Sequence, residues 1–135
     1  MGTKTGMTAQ QDVFNRLVKS GVKNTVSLTG KIYPYSRPKD SKLEDITLNT
    51  LAISAGQIQE GVFNVNIHVP NLVLTDDMTQ PNIARFEVIT AVVVEVISNY
   101  HGFDYHFDLD APGILERDGT NWFSNVRVKY YSLRN

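Results

Sequence analysis

The chain has 135 residues, a formal net charge of −1, 41% hydrophobic and 20% charged residues, and no cysteine. That length supplies one ordinary core and no second, and the balance of apolar to charged residues is that of a folded soluble domain rather than a disordered one. Near-neutrality argues against a protein whose main task is gripping a polyanion, so no specific nucleic-acid recognition is expected, and the missing cysteines exclude disulfides, thiolate nucleophiles and iron–sulfur clusters.

In chain order, residues 1–8 read as a flexible lead before a single domain over 9–135. Thr8, with Gln11 three places on, has capping-box spacing. Val13, Phe14, Leu17 and Val18 then make the apolar stripe of a short helix that Gly21 closes. No signal-peptide pattern opens the chain. Gly30–Tyr35 predicts a brief strand ended by Pro34, followed by a polar connection over 36–45. In that connection Arg37, Lys39 and Lys42 are nearly cancelled by Asp40, Glu44 and Asp45.

Ile46–Ser54 and Gly61–Val69 follow as strands. In the second, Phe63, Val65, Ile67 and Val69 alternate with Asn64, Asn66 and His68, the period of a strand with one face on a core. The connection after Pro70 holds Leu72, Val73 and Leu74 in a row, which need burial under the domain's own edge or against a neighbour. Residues 83–98 are rich in valine and isoleucine, yet their length and the Pro81-Asn82 start favour a helix. The most apolar run, Val88–Ile97, is far below the ~20 residues that cross a bilayer, so no membrane association is expected. Phe103–Asp110 and Trp122–Leu133 complete the chain as strands. The expected fold is α+β: a mainly antiparallel sheet of about five strands with two helices on one face, in the order α-β-β-β-α-β-β.

The stretch FDYHFDLDAPG, Phe103–Gly113, looks most like chemistry. As a strand it sends Asp104, His106, Asp108 and Asp110 to one side, with ~6.6 Å between successive positions. One ion cannot be shared along so flat a row, so a metal site would need His68 or His101 as well. A metal-dependent hydrolase centred on His106 is therefore one functional reading. The other is a solvated face on which Arg127 and Lys129 of the last strand meet Asp104, Asp108 or Asp110 across the ladder. No serine triad, phosphate loop or calcium loop is present, and no cofactor is called for.

On the last strand Trp122 and Tyr130 share parity with Val126 and Val128 and belong to the core. Phe123 and Tyr131 share parity with Arg127 and Lys129 on the opposite side, an aromatic-plus-cation surface of the kind found where proteins meet. Trp122, Phe123 and Tyr131 would alternatively form the platform of a small monomeric peptide- or carbohydrate-binding module.

The succession GVKNTV, GKIYPYSRP, ITLNTLAIS, GVFNVNIHV, the helix from Ile83 through Ser98, and NVRVKYYSLRN resembles the small tail-completion or tail-terminator proteins of tailed bacteriophages and prophages. The likeness runs from Asp12 to Leu133 in the order and type of elements. It implies a structural protein rather than an enzyme. Such a protein forms an oligomeric ring, typically of six subunits in that family, that completes a tail or joins tail to head. Its partners would be other phage tail or head-completion proteins, and its location the bacterial host cytoplasm during assembly and the virion afterwards. Carried onto this chain, the resemblance makes Tyr33, Tyr35, Arg127, Lys129 and Tyr131 interface candidates, beside Leu72, Val73, Leu74 and Phe123.

Overall fold

A computed structural model describes residues 3–98 and 100–133. Met1 and Gly2 of the expected lead, Asn99 of the turn before the fourth strand, and residues 134–135 of the terminal strand segment lie outside them. The elements are α1 (Gly6–Lys19), α2 (Val22–Thr25), β1 (Ile32–Tyr33), β2 (Asp45–Ile53), β3 (Ile58–His68), α3 (Ile83–Ile97), β4 (Tyr105–Asp118) and β5 (Asn121–Leu133). The five strands form one sheet in the order β1-β2-β3-β5-β4.

The α+β class, the five strands and the two long helices agree with expectation. Two details do not. The sheet is mixed, because β1 runs parallel to β2 through Ile32↔Ile46 and Tyr33↔Thr47 while the other pairings are antiparallel. The order also gains a short helix, α2, which Gly21 makes possible by taking a left-handed φ of 78° between α1 and α2.

Helix α1 begins earlier than Thr8. Thr5 is the N-cap, its hydroxyl accepting from Thr8 N–H at 3.1 Å, so Gly6–Thr8 are helical rather than a lead. Helix α3 starts where Pro81-Asn82 predict, with the Asn82 side chain accepting from Arg85 N–H at 3.2 Å. Its buried residues are Phe86, Ile89, Val93 and Ile97, while Ile83 in its first turn is half exposed.

Both long helices cover the same side of the sheet. The register places Leu48, Val65 and Val126 in one row and Phe63 with Val128 in the next, all buried and in one cluster with Ala9, Val13 and Leu17 of α1 and the inner residues of α3. Strand β4 runs eight residues past the expected end at Asp110. Two bulges, between Leu109 and Ala111 and between Pro112 and Ile114, let the edge strand absorb a proline that a central strand would reject. At the second bulge Gly113 has φ 124°, and a Cβ there would sit 2.6 Å from Thr90 Cγ2 of α3, so the glycine sets how closely helix and strand approach. Among the described residues no helix is long and apolar enough to cross a membrane.

Candidate subunit interface

The helix-free side of the sheet carries the residues that looked chemical. Its middle is a set of cross-strand polar pairs: Asn64 Nδ2 donates to Asn49 Oδ1 at 2.9 Å, Asn125 Nδ2 to Asn66 Oδ1 at 2.8 Å, and Thr47 Oγ1 lies 3.0 Å from His68 Nε2. Within this row Asn64 and Asn125 are buried. Burial, with Arg37 nearby, depresses the His68 imidazole to a pKa of about 4, so this ring is neutral at physiological pH.

Four candidates share that side and alternate along β5: Phe123, Arg127, Lys129 and Tyr131. Phe123 packs on His68 at 5.9 Å between ring centroids, and Tyr131 stacks on His106 at 4.8 Å, which in turn stacks on His101 at 5.2 Å. Arg127 and Lys129 are exposed. Lys129 faces Asp108 in the ladder and reaches Asp110 at 3.9 Å. The bulge after Leu109 puts Ala111, not an aspartate, opposite Arg127.

The expected row of four polar residues is broken at its first member. Asp104 precedes β4 and turns to the helix side, where its carboxylate takes a 3.0 Å ion pair from Lys4. His106 and His68 oppose Tyr131 and Phe123 of β5 respectively, eight residues or ~26 Å apart along the strand, too far to share an ion. Among the described residues no group of three His, Asp or Glu side chains is placed to hold a metal. Trp122 also departs from Phe123 and Tyr131. It packs against the core side and donates Nε1–H to Thr79 O at 2.9 Å, so the three aromatics form no common platform.

Tyr33 and Tyr35 sit at the opposite border of the sheet, Tyr33 half-buried in β1 and Tyr35 exposed beyond it. In the connection between β3 and α3, Leu72, Leu74 and Met78 are partly exposed and Val73 is 81% exposed, while Asn71 Nδ2 donates to Thr120 O at 2.5 Å beside the start of β5. Of the two fates foreseen for the Leu-Val-Leu run, the domain covers more than half of Leu72 and Leu74 but leaves Val73 open. The nine candidates thus fall into three regions: a sheet face, a sheet border and the loop between β3 and α3.

Sequence reasoning missed several groups. Glu44 and Asp45 turn inward, and of the loop cations Arg37 stays paired, its Nη1 3.5 Å from Asp45 Oδ2. Glu44 forms a forked pair with Arg85 (Nε to Oε2 2.5 Å, Nη2 to Oε1 2.9 Å), which holds its carboxyl below the usual range, and buried Asp45 accepts from Ser41 Oγ at 2.5 Å and Lys31 N–H at 3.0 Å. Arg37, Lys39 and Lys42 then line a cleft of about 360 Å³ with Leu43, Met78 and Trp122. Nor did periodicity single out Lys4 or the fully exposed Phe103. The only signal for Lys4 was a lone cation in an otherwise uncharged lead. In sequence the chain matches no protein-family model and no curated protein.

Proposed function

We propose that this chain is a non-catalytic assembly protein that forms an oligomeric ring, completing or terminating a phage tail tube or joining tail to head. The observation that carries it is the loop between β3 and α3: Val73 and Met78, and in part Leu72 and Leu74, face solvent on a backbone closed by its own hydrogen bonds. Apolar side chains held out on an ordered loop cost solvation until a partner covers them. The aromatic and cationic residues of the outer sheet face and the exposed Tyr35 offer further contact area of the type enriched at interfaces.

The assembly reading is supported as well by how the most chemical-looking residues are used. His106 and Tyr131 stack on each other, Asp104 serves an internal ion pair, and Asp110 answers Lys129. Each subunit would add weakly alone, while ring closure satisfies several contacts at once.

Light scattering after size exclusion, over a wide concentration range and with tail or head-completion proteins added, tests the proposal. Concentration-dependent oligomers, or capture into a tail assembly, are expected. A chain that stays monomeric and cross-links to neither itself nor a tail or head component would overturn it.

A further inference from the structure

The loop between β3 and α3 is a closed tongue. Leu72 N–H donates to Gln80 O at 2.9 Å and Leu74 N–H to Asp77 O at 3.2 Å. The Asp77 carboxylate fixes the turn by accepting from Thr79 N–H at 2.8 Å and Gln80 Nε2 at 2.9 Å. An apolar tip, Val73 with Leu74 and Met78, is thereby held beside two negative charges, Asp76 and Asp77.

Elsewhere, the end of α1, α2 and β1 leave a groove of about 290 Å³, lined by Val18, Gly21, Lys23, Asn24, Lys31 and Ile32. Gly21 opens it by turning the chain between the helices without a side chain. Its apolar wall is Val18 and Ile32. Its rim carries Lys23 and Lys31, both exposed, and neither makes an ion pair with a described residue.

We infer that this groove receives the 72–78 tongue of a second copy of the chain, with Val73 against Val18 and Ile32 and the Asp76-Asp77 pair facing Lys23 and Lys31. Apolar tip meets apolar wall, and two carboxylates meet two ammonium groups. The inference rests on the assembly reading and names the two surfaces that meet. Because tongue and groove are different surfaces, each copy offers one of each, and the contact repeats head to tail until rotation closes it into a ring. The rim charges orient the encounter and make it salt-sensitive more than they add affinity.

The absence of cysteine makes the test direct. Two single variants, Val73→Cys and Val18→Cys, are mixed and oxidised, and a disulfide between them requires Cα atoms within ~7 Å. The mixed dimer is expected in several-fold excess over that from Val73→Cys mixed with Leu51→Cys, an exposed control position. Adding Lys23→Glu to the groove chain is expected to lower the yield, and adding Asp76→Lys to the tongue chain to restore it. A mixed yield equal to the control overturns the inference. If oligomers still appear by light scattering in that case, only the tongue-and-groove contact falls and the assembly reading stands. A monomer at every concentration, with no cross-link above control, removes both.

Discussion

Two charged regions of this molecule have exchanged the roles their sequences predict. The Asp/His strand, rich in ionisable groups, lies along a face that is partly wet, and its Lys129–Asp110 pair is long at 3.9 Å and half exposed. Lys4, from the nominal lead, is instead folded against the core. Its ammonium lies 2.8 Å from Asp12, 3.0 Å from Asp104 and 3.2 Å from the Tyr130 hydroxyl, with the Tyr105 and Tyr130 rings at 5.1 and 5.8 Å. Tyr130 donates to Asp12 at 2.6 Å, and the Gln59 side chain grips both the N–H and the carbonyl of Lys4, at 2.8 and 3.0 Å. Burial opposes the charge on Lys4, but the hydrogen bonds with Asp12, Tyr130 and Asp104 outweigh it, so the amine is held well above the ordinary lysine range. Burial also pushes the Tyr105 phenol up to about 12. The contrast shows that desolvation, not the number of charges in a stretch, decides where electrostatics matters.

That contrast can be broken at its strong end. Lys4→Met keeps the aliphatic stem but leaves two partly buried carboxylates without their cation, and is expected to lower stability by about 2–3 kcal/mol in urea denaturation. A loss below about 0.5 kcal/mol would put this cluster with ordinary surface pairs.

His68 sharpens the comparison from the sheet face. Its folded pKa, about 4, lies below the unfolded value of ~6.5, so the unfolded chain binds the extra proton between those values. Its contribution is fully present above about pH 6.5, is lost progressively as pH falls to about 4, and is on the order of 3 kcal/mol. Denaturation midpoints across that window should show this slope in the native chain and a flatter one in His68→Asn. Equal slopes would mean that the buried imidazole is not what titrates.

The smallest effect belongs to the wet pair. Lys129→Met should change stability by no more than about 0.5 kcal/mol, and less in high salt. A larger loss by the same urea measurement would show that the outer face carries more of the fold than its exposure implies.

Much of the architecture was legible because it follows from period and punctuation. Phe63, Val65 and Ile67 alternate and are buried, Asn82 caps α3, and Gly21 ends α1. Boundaries failed where a local signal had a distant competitor. Thr8 has capping-box spacing, but Thr5 caps once Lys4 is anchored to β3 and β4. The fourth strand is expected to end at Asp110, but at an edge strand the bulges absorb Pro112 and β4 runs on to Asp118. Among the interface candidates, the alternation along β5 correctly set Phe123, Arg127, Lys129 and Tyr131 on one side. Their separation from Tyr35 and from the Val73 tongue was not legible, because strand order in a sheet is set by long-range pairing.

The sequence by itself determined the class of fold, the inner and outer sides of its central strands, and the Leu-Val-Leu run in need of cover, since each depends on side-chain chemistry and a period of two or 3.6 residues. Only the tertiary structure decided that Asp104 leaves its strand for Lys4, that Glu44 goes to Arg85 while buried Asp45 keeps Arg37, and that Val73 of the 72–78 tongue is left uncovered by its own domain. Those outcomes depend on which groups lose water together, and that is fixed by residues as far apart as Lys4 and Tyr130 meeting in space.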